Sequence, residues 1–204
     1  MIRVLCTDDH LIVREGIELI INQQSDMTVI ASAATGEEAI TMYRTHKPDV
    51  TIMDLQLGTM SGVEAIRAIR HEDPQARIVV LTMYQGDEDV YRAMQAGAST
   101  YLFKDTISDD LIRVIRDVNA GEHPVTPAVE ARLAERASRP ALTRRELQVL
   151  TCISRGMRNR EIGDALGVAE DTVVVHIRNI FWKLNVKDRT EAAHVALRRG
   201  IIHV

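Results

Sequence analysis

The stretch Ile2-Arg3-Val4-Leu5-Cys6-Thr7-Asp8-Asp9-His10 runs largely apolar and then breaks into two adjacent carboxylates. A short apolar run of this kind, followed by a segment of helical period, reads as a parallel strand buried on both faces. Three later runs repeat the pattern, each ending on a polar residue: Val50 to Met53 before Asp54, Ile78 to Leu81 before Thr82, and Tyr101 to Phe103 before Lys104. In an open parallel sheet the strands share one carboxyl edge, and ligands bind outside it. One fold would therefore gather Asp8, Asp9, Asp54, Thr82 and Lys104.

Working outward, strands are expected at 2–6, 27–33, 49–53, 77–82 and 99–103, alternating with helices at 10–22, 36–46, 61–71, 87–96 and 107–119. Five βα units with short connections predict an α/β domain, a doubly wound five-stranded parallel sheet, over residues 1–120. Residues 121–140 hold Pro124, Pro127 and Pro140 around a short helical stretch, Val129 to Ala137, and read as a linker. From 141 to 204 only helices are expected, at 143–155, 159–166, 170–184 and 189–199, which makes the second, smaller domain all-α. Thr143 with Glu146 three residues on is a capping-box start, and Gly156, Gly167 and Gly200 fall where helices end.

The charge divides along the same lines. Residues 1–120 carry 11 Lys and Arg against 19 Asp and Glu, whereas residues 142–204 carry 11 against 7. An acidic front and a basic tail imply different partners, the tail being suited to a polyanion. No apolar stretch is long enough for a signal peptide or a membrane span, so a cytoplasmic location without membrane contact is expected. Cys6 and Cys152 lie inside apolar segments of different domains and read as reduced core thiols.

A lone aspartate at a strand end is ordinarily a helix cap or a solvated loop residue, and Asp8 and Asp9 precede a helix. The combination fits that reading badly. Three carboxylates in one crevice would repel unless a divalent cation neutralised them, and oxygen-only ligation points to Mg2+. Phosphoryl transfer needs an acceptor oxygen and charge neutralisation on the equatorial oxygens. Asp54 can supply the acceptor, Lys104 with the cation the neutralisation, and Thr82 a hydrogen bond to a phosphoryl oxygen.

With those residues in view, Leu-Cys-Thr-Asp8-Asp9-His10, Ile-Met-Asp54-Leu, Val-Leu-Thr82 and Gly97-Ala-Ser-Thr-Tyr101-Leu-Phe-Lys104-Asp resemble the receiver domain of bacterial response regulators, a flavodoxin-like fold. The resemblance implies that Asp54 takes a phosphoryl group from a sensor histidine kinase. It further implies that Mg2+ is held by Asp8 through water, by Asp9 and Asp54, and by the Gln56 carbonyl, and that Thr82 and Tyr101 form a switch. The chain departs from the family at Leu57-Gly58-Thr59, where Met-Pro-Gly is common. Gln56 and Tyr84 stand where the family tunes the lifetime of the aspartyl phosphate.

In the tail, Val173, Ile177, Ile180 and Leu184 recur at helical spacing, while Asp171, Val175, Arg178, Asn179 and Trp182 point the other way. With Ile162 and Leu166 on the preceding short helix and Gly167-Val168-Ala169 between, this is a helix-turn-helix arrangement. Leu142 to Leu150, Asn159-Arg-Glu-Ile162, Thr172 to Ile180 and Lys183 to Thr190 resemble the LuxR-type DNA-binding domain. Receiver and LuxR-type tail together are similar to response regulators of the NarL/FixJ class.

By position, Val174, Val175 and Arg178 would face bases, and Arg158, Asn159, Arg160, Thr172 and Lys183 would meet phosphates or fix register. Val174 stands where a lysine is usual, and Arg158 where a small hydroxyl residue is. Trp182 is expected to pack against the receiver or linker. The whole reads as a phosphorylation-switched regulator of transcription, acting on double-stranded DNA as a homodimer and catalysing only its own phosphotransfer. A haloacid-dehalogenase-type phosphatase would want an acid at position 56, where Gln stands. A constitutive DNA binder would tend to lose an acid or the lysine, and a pure interaction module would ignore duplex.

Overall fold

The computed structural model describes residues 1–203, with only the backbone described at 106–109. The chain divides into two units, Met1–Tyr84 with Val90–Ala131, and Gln85–Asp89 with the residues from Arg132 on.

The first unit is built on five parallel strands, β1 (Ile2–Thr7), β2 (Met27–Ala33), β3 (Val50–Met53), β4 (Ile78–Thr82) and β5 (Thr100–Phe103), in the order β2-β1-β3-β4-β5. Between them run α1 (Leu11–Asn22), α2 (Gly36–His46), α3 (Gly62–Glu72) and α4 (Asp87–Gln95), and a single 3₁₀ turn (Lys104–Thr106) leads from β5 into α5 (Ile107–Asn119). Every residue of β3 and β4 is buried, because helices cover both sheet faces and leave no wet face for alternation. From the sheet, Val4, Cys6, Met27, Val50, Ile52, Val79, Leu81 and Leu102 enter a core that Ile17, Ile21, Val114 and Ile115 join from the helices. Each such side chain contributes about 1.5–3 kcal/mol by leaving water. Burial pushes the Cys6 thiol up to about 12, so it packs as an inert hydrophobe.

Strand order places the site. β1 pairs with β2 on one side and β3 on the other, so the connection reverses direction between β1 and β3 and a crevice opens at their carboxyl ends. Thr7 is in register with Met53, and the Asp54 amide donates to the Thr7 carbonyl at 3.0 Å. Asp8 and Asp54 are therefore neighbours across that crevice. β1 runs one residue further than expected, to Thr7, and α1 starts after His10, which has extended backbone and makes no side-chain cap. The aspartates are not helix caps: Asp8 Oδ1 instead accepts the His10 amide at 3.0 Å, which pins the β1–α1 loop.

Within the expected linker lies α6 (Pro127–Ala137), with proline at its first position where no amide hydrogen is needed. Four helices follow: α7 (Arg144–Ser154), α8 (Asn159–Leu166), α9 (Glu170–Leu184) and α10 (Arg189–Arg198). Thr143 and Glu146 close the expected capping box on α7. Val149, Leu150, Ile162, Val173, Ile180 and Ala196 make one core from all four helices, with Ile177 partly buried against it. α8 and α9 meet at a turn that leaves no room at Gly163, where a Cβ would lie 2.7 Å from the Val168 carbonyl. Among the described residues no helix is long and apolar enough to cross a membrane.

Gly163→Ala is expected to destabilise the helical unit by about 1–3 kcal/mol, since backbone rather than a flexible side chain must move. Chemical unfolding followed by far-UV circular dichroism, beside the parent, checks the loss.

Candidate functional site

At the crevice Asp8 and Asp54 are almost wholly buried, with Asp9 on the rim. Lys104, the first residue after β5, brings its ammonium to 2.5 Å from Asp54 Oδ2 and 2.6 Å from Asp8 Oδ2. Lys104 donates a hydrogen bond to Asp54 and forms an ion pair with Asp8. Burial works against the lysine's charge, but the two carboxylates outweigh it and hold its pKa above the ordinary value. Lys104 is a permanent counter-charge here. The other oxygen of Asp54, Oδ1, accepts the amides of Leu55 at 2.6 Å and Gln56 at 3.3 Å, so the carboxylate is fixed at both ends.

Side-chain donors of Asp8, Asp9, His10 and Asp54 lie within 4.8 Å of one another. Three carboxylates converging from two strand ends fit a divalent cation, and the acidic pocket that the sequence implied is formed. His10 enters the group through its Nδ1, 2.6 Å from Asp9 Oδ1. Sequence reading passed over His10, although its place directly after the aspartate pair was the available signal. Leu57-Gly58-Thr59 borders the pocket, and Gly58 adopts φ +77°, a backbone that proline cannot reach.

Thr82 ends β4 and is buried. Its hydroxyl accepts the Tyr84 amide at 3.4 Å, and the Tyr101 hydroxyl donates to the Tyr84 carbonyl at 2.8 Å. One residue's backbone thus ties the two expected switch residues together. The Tyr101 ring is fully buried, edge-on to Phe103 at 5.5 Å between centroids.

In the helical unit Arg158 and Arg160 are exposed at the start of α8. Asn159 Oδ1 accepts from Arg189 at 2.9 Å, and the same guanidinium donates to the Met157 carbonyl, binding the α8 start to α10. Thr172, Val174, Val175 and Arg178 lie on α9, and all four are exposed. Lys183 is differently placed: its ammonium lies 2.7 Å from Glu146 Oε2, which also accepts the Thr143 amide at 2.7 Å. Glu146 is buried; desolvation opposes its charge, but Lys183 and the Thr143 cap hold its carboxyl below the usual glutamate range. Trp182 finds no cover within the helical unit and is 75 % exposed.

A doubly wound domain with a lysine-neutralised aspartate trio at its switch point is a receiver, and the four-helix unit with its tight α8–α9 turn is a helix-turn-helix domain. Family models match both: the response regulator receiver domain over residues 4–116, and the bacterial regulatory proteins of the luxR family over residues 140–196. The transcriptional regulatory protein YxjL of Bacillus subtilis is 39 % identical, over 98 % of this chain and 97 % of its own. The response regulator VraR of Staphylococcus aureus is 38 % identical, over 98 % and 99 %. The crystal structure of ChrA, response regulator of a heme-sensing two-component system, aligns with TM-score 0.59 and 32 % identity over 98 % of both chains. RcsB in its DNA-bound dimers shares the fold, at TM-score 0.70 and 21 % identity over 97 % of this chain and 98 % of that one. This chain belongs to the response regulators of the NarL/FixJ class, transcription regulators with a LuxR-type DNA-binding domain.

Removing the ammonium by Lys104→Ala leaves two buried carboxylates facing each other. In EDTA the variant is expected to lose about 3–5 kcal/mol, and added Mg2+ should raise its melting temperature more than that of the parent. Glu146 makes a pH prediction. Its folded pKa lies below the unfolded value of 4.5; the stability it confers is complete above that value and is lost as pH falls through the folded pKa. Thermal melts of the parent should therefore drop on acidification below about 4.5, and Glu146→Gln should flatten that dependence.

Proposed function

We propose that Asp54 is the phosphoacceptor of a receiver domain spanning residues 1–120, and that a sensor histidine kinase supplies the phosphoryl group. The observation that carries this reading is the fixed Asp54 carboxylate, held by two backbone amides and the Lys104 ammonium beside two further acids. One carboxylate oxygen attacks phosphorus as the bond to the kinase's imidazole nitrogen breaks. Lys104 neutralises charge on the equatorial oxygens through the step. Asp8, Asp9, Asp54 and the Gln56 carbonyl would hold Mg2+, which supplies charge neutralisation when bound. Gly58 leaves the loop beside Asp54 free of the family's proline, and Gln56 and Tyr84 set how fast the acyl phosphate is lost. The catalysis is confined to the chain's own phosphorylation and dephosphorylation.

Phosphorylation gives the Thr82 hydroxyl a phosphoryl acceptor. Moving toward it breaks the bond from the Tyr84 amide, and the backbone of the same residue relays the change to Tyr101. The signal reaches the DNA-binding domain, residues 141–204 beyond a linker at 121–140, through dimerisation or through exposure of α9. On double-stranded DNA Val174, Val175 and Arg178 face bases, and Arg158, Asn159, Arg160 and Thr172 meet phosphates. Lys183, held by Glu146, fixes the register of α9 from inside the domain. A homodimer on two half-sites, in the cytoplasm, completes the reading.

Intact-mass spectrometry after incubation with acetyl phosphate and Mg2+ should show one phosphoryl increment, absent from Asp54→Ala and in EDTA. An increment that survives in Asp54→Ala would move the acceptor elsewhere. Mobility shifts on duplex should show affinity rising with phosphorylation, and Arg178→Ala should reduce the slope of log affinity against log salt by about one.

A further inference from the structure

Among the described residues from Arg132 on, four large apolar side chains are exposed, and three of them, Val174 (49 %), Val175 (44 %) and Trp182 (75 %), lie on α9. The spacing Asp171, Val175, Arg178, Trp182 steps by four, three and four residues, which at 3.6 residues per turn keeps all four on one narrow stripe. The opposite stripe, Val173, Ile180 and Leu184, fills the core. Trp182 therefore continues the outward face that already carries Arg178 and Val175, one turn nearer the C-terminal end of α9. Asn185, with φ 54°, stops the helix three residues later.

We propose that Trp182 is a DNA-contact residue, its indole lying along the deoxyribose–phosphate rim of the major groove. The proposal rests on the DNA-binding reading above. Trp182 sits about 10 Å along the helix axis from Val175. Recognition helices reach base edges with their N-terminal residues, so position 182, near the C-terminal end of α9, meets the groove's wall rather than its floor. That wall offers what an indole needs: an apolar sugar face for the ring and a phosphate oxygen for the Nε1 hydrogen. Continuity with Arg178 selects duplex as the occupant, since burying the indole against an apolar partner would also bury that guanidinium. A contact of this kind releases no counterion, so its contribution to affinity does not fall with salt as that of an arginine does.

Because Trp182 is the chain's one tryptophan, its emission reports the contact directly. The full chain, phosphorylated with acetyl phosphate and Mg2+, is titrated with a mixed-sequence duplex pool of about 30 base pairs, some three helical turns. Binding is followed by mobility shift, and the indole by acrylamide quenching. The expected result is that bound duplex protects Trp182 from acrylamide. Trp182→Ala should weaken binding roughly 5- to 100-fold with an unchanged salt slope and an unchanged melting temperature. Trp182→Phe should recover most of the loss, and Arg178→Ala should lower the slope. A shift without protection, with Trp182→Ala binding as the parent does, would overturn the contact while leaving DNA binding intact. Protection that grows with protein concentration in the absence of duplex would assign the indole to a second copy of the chain and overturn it too. No shift by the phosphorylated parent even at low salt would remove the DNA-binding reading and the contact with it.

Discussion

The ammonium of Lys104 is what allows two strands of one sheet to end in buried acids. Asp8 and Asp54 stand in adjacent register at the carboxyl ends of β1 and β3, and without a cation between them they would push those strands apart. A buried ion pair is weak support for stability as such, because desolvation consumes most of the Coulomb attraction. Here its value is positional. Lys104 directly follows β5, so the charge that reconciles β1 and β3 comes from two strands away and ties the far side of the sheet to the crevice. The sheet's order, the short crossovers and the loop clamped by Asp8 all serve that meeting.

Much of this was legible in the residues. The apolar runs ending in Asp8, Asp54, Thr82 and Lys104 announce buried strands and one common edge, and Thr143 with Glu146 announces the start of α7. What stayed hidden lies in bonds that side-chain type does not encode. The bridge between Thr82 and Tyr101 is made by the backbone of Tyr84, and any residue other than proline could offer that amide and carbonyl. Lys183 was legible only as a residue that would meet phosphate or fix register, with no sign of which. Its partner Glu146 is 37 residues away, and the pair appears only once α7 and α9 are packed. Trp182 was legible as an outward residue, since helical phase puts it with Arg178; what covers it was not.

The two units solve opposite electrostatic problems. The receiver concentrates like charges in a crevice where one ammonium meets two of three carboxylates, leaving a site that responds strongly to one more charged group. The helical unit holds most of its cations at the surface and keeps α9 partly apolar, with valines where side-chain charge would be commoner.

The bond between Glu146 and Lys183 also constrains how such a chain can diverge. Glu146 caps α7 with one hand and holds α9 with the other, so losing the acid strands an ammonium while losing the lysine strands a buried carboxylate. Exposed residues of α9 carry no such bond to α7 and can change without stranding a buried charge. The pair thereby divides α9 into an outward face open to substitution and an inner anchor that fixes how the helix is held against α7.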